Sequence, residues 1–198
     1  MFISSLLPRY AQAAHADISF YISMKAGGGF AHSNKDYERP IGYGVLGAIG
    51  GQYELKDVNL RSELEISNFS YSKNKHTDDY PFNKYDKSHQ VNTTLYMANF
   101  YVDLLHDEYK LKPYFGFGIG LAAFNENFFE DDYVYLTGLS FTTESYISEY
   151  TFSYGINMGI GFNITDNLSG DVGGRCVYFG RTYRFGTCDA TIGLRYAF

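Results

Sequence analysis

One stretch of this chain constrains its fold more than any other. From Tyr150 to Ile164 every second residue is bulky and apolar: Tyr150, Phe152, Tyr154, Ile156, Met158, Ile160, Phe162 and Ile164. The residues between them are Thr151, Ser153, Gly155, Asn157, Gly159, Gly161 and Asn163. A period of two belongs to a β-strand whose two faces meet different surroundings. The pattern recurs along the chain. Ile18, Phe20, Ile22 and Met24 oppose Ser19, Tyr21, Ser23 and Lys25, and Leu60, Leu64 and Ile66 oppose Asn59, Arg61, Glu63 and Glu65. Phe115, Phe117, Ile119 and Leu121 oppose Tyr114, Gly116, Gly118 and Gly120. At the end, Ile192, Leu194, Tyr196 and Phe198 oppose Thr191, Gly193, Arg195 and Ala197.

The location of the charges decides which face is inside. The bulky face is almost free of charge, while the other mixes Gly, small polar residues and both signs of charge. A soluble barrel would bury the bulk and leave a surface nearly half glycine. It would also need an apolar lumen, which the small face does not supply. The reversed arrangement suits both faces: apolar side chains meet lipid, and small or charged residues fill a narrow lumen. Barrel closure also satisfies the backbone where water is absent. The 21 Gly, 20 Tyr and 17 Phe of the 198 residues then have separate places, Gly inside and the rings mostly outside. A helical span is excluded: the longest charge-free run, Tyr150 to Thr165, holds three Gly and two Asn and is shorter than ~18 apolar residues. A formal net charge of −6 argues against a nucleic-acid surface.

The fold expected is therefore all-β, an eight-stranded antiparallel up-and-down transmembrane β-barrel over residues 17–198. Its strands run Ile18–Ala31, Ile41–Leu55, Val58–Tyr71, Gln90–Leu104, Leu111–Phe124, Ser148–Ile164, Asn167–Gly180 and Phe185–Phe198. Tight turns fall at Lys56-Asp57, around Asp107-Glu108 and at Thr165-Asp166-Asn167. Segments 32–40, 72–89 and 125–147 read as long polar loops, and Arg181–Arg184 as a short one. Short periplasmic turns alternating with longer extracellular loops are the outer-membrane habit, and an even strand count leaves both termini periplasmic. Gly27-Gly28-Gly29 suggests a bulge or bend in the first strand. Residues 1–16 read as the tail of a secretory signal, with Ala14-His15-Ala16 before Asp17 as the cleavage pattern.

The turns set registers. A two-residue turn at Lys56-Asp57 places Gln52 opposite Arg61 and Gly50 opposite Glu63. A turn at Asp107-Glu108 places Asp103 opposite Lys112. A last hairpin centred on Thr182 places Arg175 opposite Asp189, with Asp171 diagonal to Arg195. Faces and registers agree, which a one-residue slip would destroy. The expected lumen network joins Lys25, Arg61, Arg175 and Arg195 to Glu54, Glu63, Glu65, Asp103, Asp171 and Asp189, because buried charges need partners. It reads as a structural plug in preference to the lining of a pore. The last register also sets Cys176 opposite Cys188, both outward. A cross-strand disulfide near the outer rim is the expectation in an oxidising periplasm, unless a bulge at Arg181–Arg184 shifts the pair or its geometry is too strained.

These residues resemble the bacterial eight-stranded outer-membrane barrels: OmpA-type transmembrane domains and the Opa- and NspA-like surface antigens. The resemblance rests on Lys112-Pro-Tyr-Phe-Gly-Phe-Gly-Ile-Gly120, on Gly161-Phe-Asn-Ile-Thr-Asp-Asn-Leu-Ser169 and above all on Ile192-Gly-Leu-Arg-Tyr-Ala-Phe198. It implies a Gram-negative outer membrane, contact with its lipid and lipopolysaccharide, and Phe198 as the terminal aromatic read by the outer-membrane assembly machinery. It implies a non-enzymatic surface role in adhesion or envelope structure, with a small porin-like channel as the alternative and a lipid A-modifying enzyme as the lesser one. With the chain stopping at the last strand, no peptidoglycan-binding domain of the full-length OmpA kind is expected to follow.

No catalytic set emerges from the histidines His15, His32, His76, His89 and His106. His32-Ser33 are adjacent and point to opposite faces of a strand, so the His-x-Ser pair of a barrel deacylase is missing; a set spread over mobile loops, as in a palmitoyltransferase-like barrel, has no short motif to test. No cofactor loop or metal-ligand spacing appears either. Segment 72–89 mixes Lys73, Lys75, Lys84 and Lys87 with Tyr80, Phe82, Tyr85 and the adjoining Tyr71, a recognition surface for a host or environmental ligand. Segment 125–147 is acidic through Glu126, Glu130, Asp131, Asp132 and Glu144. It could hold divalent cations with lipopolysaccharide, but a solvated loop is the favoured reading.

Overall fold

The structure, a computed structural model, describes residues 18–33, 39–54, 58–79, 83–104, 111–134, 139–179 and 185–198. The proposed signal at 1–16, the turns at Lys56-Asp57 and Asp107-Glu108, and the Arg181–Arg184 connection lie outside them. The eight strands are β1 (Ile18–Ser33), β2 (Ile41–Glu54), β3 (Asn59–Asp79), β4 (Asn83–Asp103), β5 (Leu111–Val134), β6 (Leu139–Asn163), β7 (Leu168–Phe179) and β8 (Phe185–Ala197). Each pairs antiparallel with the next, and β8 closes on β1, giving a closed barrel in sequence order. Among the described residues no helix is long and apolar enough to cross a membrane. Closure leaves no sheet edge where lipid would face it. At one end, the near end, lie Ile18, Phe198 and the β6–β7 turn, where Leu168 N–H bonds Thr165 Oγ1 at 3.1 Å. The far end carries the β3–β4 and β5–β6 hairpins.

The alternation puts the bulky residues outside. Met24, Tyr43, Leu64, Phe117, Phe152 and Ile192 are all more than half exposed on the outer wall. On β6 the outward apolar set from Tyr150 to Ile160 covers roughly 33 Å of strand, or ~25 Å along a barrel axis at the usual tilt, which matches the apolar band of an outer-membrane barrel. Rings stack on this face, Phe100 on Phe117 at 5.4 Å and Tyr154 on Tyr178 at 5.8 Å.

Three expectations are corrected. First, segments 72–89 and 125–147 are not loops for most of their length. β3 and β4 each run 21 residues and β5 and β6 run 24 and 25, against 12 to 16 for β1, β2, β7 and β8. The ladder continues through Asp79↔Lys84, Asn83↔Val134 and Val134↔Leu139, so half of the wall rises as a four-stranded sheet above the other half. Above the lipid band both faces meet water, so the alternation fades although the backbone pairing persists. Second, the register of β4 and β5 differs by two residues: Asp103 faces Tyr114, not Lys112. The ladder is centred between residues 108 and 109 instead of 107 and 108, which moves every partner by two, and Leu104 N–H bonds Pro113 O at 2.9 Å. Third, Gly27-Gly28-Gly29 makes no bulge, since β1 keeps one register with β2 and with β8 throughout. The register shift lies in β3, between Lys73 and His76.

The glycines of the inner face are there for space. Gly50 lies under Tyr21, Gly44 under Phe69, Gly42 under Tyr71, Gly116 under Tyr101, and Gly159 and Gly173 under Tyr114. A Cβ on Gly50 would stand 2.7 Å from the Tyr21 ring and hydroxyl, well inside contact distance. Each of these rings packs over a position where the neighbouring strand offers no side chain.

Candidate functional site

The inner face places nine of the ten expected network residues in the lumen interior and brings them together in three ion-pair groups. In the first, Arg61 on β3 sets Nη2 2.9 Å from Asp103 and donates from Nε to it at 3.0 Å, while Nη1 lies 3.4 Å from Glu63. Glu63 also accepts the Tyr21 hydroxyl at 2.8 Å. Across the lumen Asp171 receives Lys25 at 3.0 Å, Arg195 at 3.7 Å and the Tyr114 hydroxyl at 3.0 Å. In the third group Arg175 reaches Glu65 at 2.6 Å and Asp189 at 3.5 Å. Tyr71 donates to Asp189 at 2.7 Å and Asn99 to Glu65 at 3.0 Å. Glu54 stands apart at the near end, opposite Asn59, with no ion pair among the described residues.

Each of the four buried cations also lies over a ring. Arg61 sits 4.6 Å from the Tyr101 centroid, Arg175 4.6 Å from Phe69, Arg195 5.2 Å from Tyr21 and Lys25 5.8 Å from Tyr114. Ring faces and carboxylates together replace the water these charges give up. The sequence reading missed the hydroxyls of Tyr21, Tyr71 and Tyr114. Their signal was visible: each is a bulky ring on the face otherwise kept small.

The far half of the lumen is apolar, which corrects the expectation that no apolar lumen exists. Leu46, Phe69, Tyr71, Val91, Leu95, Met97, Phe124, Val177 and Phe179 form one buried cluster above the ion pairs. Phe124 and Phe179 meet there at 5.6 Å. The inward alternation simply carries on past the charged layers with larger side chains. Among the described residues, two cavities inside the wall are small: ≈ 30 Å³ beside Asp103, Lys112 and Arg195, and ≈ 10 Å³ beside Lys25, Glu65 and Arg175. Such spaces hold about a water each. The lumen is thus filled by charge below and hydrocarbon above.

On the outer wall Cys176 and Cys188 face one another across β7 and β8 with Cα atoms 4.1 Å apart and are joined in a disulfide. Phe198 points outward and is largely exposed, and its N–H bonds Phe20 O at 3.0 Å. Asn167 at the β6–β7 turn bonds Ala197 O at 3.0 Å. The last strand is thereby tied to both neighbours up to its end. Among the described residues no group of His, Cys, Asp and Glu could hold a metal ion.

Residues 3–198 match the family described as the outer membrane protein beta-barrel domain. Among solved structures, the chain is similar to Neisserial surface protein A, with a TM-score of 0.54 and 21% identity over 92% of this chain and 99% of that one. The attachment invasion locus protein Ail of Yersinia pestis, in complex with sucrose octasulfate, has a TM-score of 0.46 and 14% identity over 91% of this chain and 99% of Ail. The N-terminal β-barrel domain of Pseudomonas aeruginosa OprF has a TM-score of 0.43 and 20% identity over 90% and 97%. No curated protein matches at a significant level. With a closed eight-stranded wall, an apolar exterior and a match across nearly its whole length, the chain belongs to the outer membrane protein beta-barrel domain family and is a barrel of the bacterial outer membrane.

Proposed function

We propose that this is a non-enzymatic surface barrel whose filled lumen makes a rigid anchor and whose tall hairpins meet molecules outside the cell. In this reading the near end and both termini face the periplasm, and outer-membrane lipid and lipopolysaccharide surround the wall. Phe198 serves the outer-membrane assembly machinery as the exposed terminal aromatic. The observation that carries the reading is the division of labour along the barrel axis. The described lumen is lined by ion pairs and a buried apolar cluster, while four strands continue as sheet well past the apolar band. Ordering that much backbone in water has an entropic cost, and a barrel needing only a sealed wall would not require it.

The test is to replace 73–89 and 126–148 by tight turns and compare adhesion of cells that display equal amounts of either form. Adhesion should fall to background, and unchanged adhesion would refute the proposal. The filled lumen supports the plug over the small channel, so planar bilayers holding the intact protein should stay silent. Lipid A from expressing and non-expressing cells should have the same mass spectrum.

A further inference from the structure

The four-stranded extension has two edges, and they differ. Closure protects the strands only while all eight run together. β7 accompanies β6 from Ser153 onward, so β6 from Leu139 to Phe152 has no strand on its β7 side among the described residues. β2 accompanies β3 only as far as Ser72, which leaves β3 from Lys73 to Asp79 as the opposite edge. An open edge offers a row of N–H and C=O groups to any passing strand, and proteins guard such rows with lysines, prolines and bulges. The β3 edge is guarded: it carries Lys73 and Lys75 and its register shifts between Lys73 and His76. The β6 edge has none of these. Leu-Ser-Phe-Thr-Thr-Glu-Ser-Tyr-Ile-Ser-Glu-Tyr-Thr-Phe holds no Lys, Pro or Gly and is rich in strand-forming Thr, Tyr and Phe. Phe141, Tyr146 and Tyr150 are well exposed along it.

Charge indicates what could pair there. Residues 125–150 hold six carboxylates, Glu126, Glu130, Asp131, Asp132, Glu144 and Glu149, and no Lys or Arg. The whole chain has a formal net charge of −6, so this hairpin carries all of it and the remainder balances. Acids sit on both faces beside the edge: Glu144 continues the outer face of β6 and Glu149 the inner, and Asp131 is paired with Thr142.

We infer that the free β6 edge, Leu139–Phe152, is a strand-addition site that takes an extended, Lys- or Arg-bearing segment of a soluble partner. The inference rests on the surface reading above and names the partner chemistry for it. Backbone pairing supplies the seat, as in other sheet-edge recognition, and the carboxylates on both faces select a basic sequence. A second copy is a poorer occupant because it would bring the same acidic edge against this one.

The experiment uses the full chain refolded in detergent and a labelled dodecapeptide of alternating Lys and Thr. Fluorescence anisotropy measures binding, and hydrogen exchange maps it. The peptide should bind and slow exchange at residues 139–152 but not at 73–79. Methylation of every backbone nitrogen of the peptide, or replacement of its Lys by Glu, should weaken binding at least tenfold. Thr142→Lys with Ser148→Lys, which installs the missing guards, should do the same while heat-modifiable gel mobility stays unchanged. Equal binding by the methylated peptide, protection elsewhere or no binding would overturn the inference, as would self-association that protects 139–152 without peptide. Failure here with adhesion still dependent on the hairpins sinks strand addition alone; adhesion independent of the hairpins sinks the surface reading itself.

Discussion

Arg61 is the best place to test the lumen network. Its side chain is fully buried, within 2.9 Å of Asp103 and 3.4 Å of Glu63. The guanidinium lies over two rings, Tyr101 at 4.6 Å and Tyr114 at 5.0 Å. Arg61→Met keeps an unbranched apolar stem but removes the charge, leaving two carboxylates in a lumen with little room for water. At an effective dielectric of ~20, one pair at this spacing is worth on the order of 5 kcal/mol before desolvation is counted. Breaking a buried pair from one side costs ~3–5 kcal/mol, which sets the expected loss. Adding Asp103→Asn should recover at least half of it, since Glu63 keeps the Tyr21 hydroxyl at 2.8 Å and the remaining partner no longer bears a charge. The chain has no Trp, so urea unfolding in detergent is followed by tyrosine emission and by the gel shift between folded and heated forms. A loss below ~1 kcal/mol for the single variant, or a double variant as unstable as the two losses added, would refute the account of the lumen as a network of mutually dependent charges.

Other expectations follow from the packing. Gly50→Ala should destabilise by ~1–3 kcal/mol, because the new Cβ falls 2.7 Å from the Tyr21 ring. Gly47→Ala, on the same strand but with nothing nearer than 3.9 Å, should change the urea midpoint little. Unreduced protein should weigh two hydrogens less than the dithiol form. Cys176→Ser with Cys188→Ser should lower stability by up to ~3 kcal/mol, given a sequence separation of 12. Shortening both hairpins should leave heat-modifiable mobility intact, since the apolar cluster lies below the removed segments.

The agreement between sequence and structure is closest where one face of a strand meets lipid. The register of β2 with β3 places Gln52 opposite Arg61 and Gly50 opposite Glu63, and that of β7 with β8 places Arg175 opposite Asp189. Each follows from a short turn and from faces that tolerate no slip. Where the turn centre is misjudged by one residue every partner is off by two, as for Asp103 and Lys112 across β4 and β5.

What the sequence determines by itself is therefore local: eight segments, the face each turns to lipid, and several neighbouring registers. A period of two is a property of a single strand and survives without knowledge of the whole. Only the closed barrel decides the rest. Arg175 of β7 meets Glu65 of β3, Tyr71 of β3 meets Asp189 of β8, and Tyr114 of β5 meets Asp171 of β7. These partners lie across the lumen on strands that never pair, so no alternation or turn length encodes them. The height of the β3–β6 sheet is likewise tertiary. Once both faces of a strand stand in water, side-chain polarity no longer marks the strand, and the backbone ladder alone carries it to Val134 and Leu139.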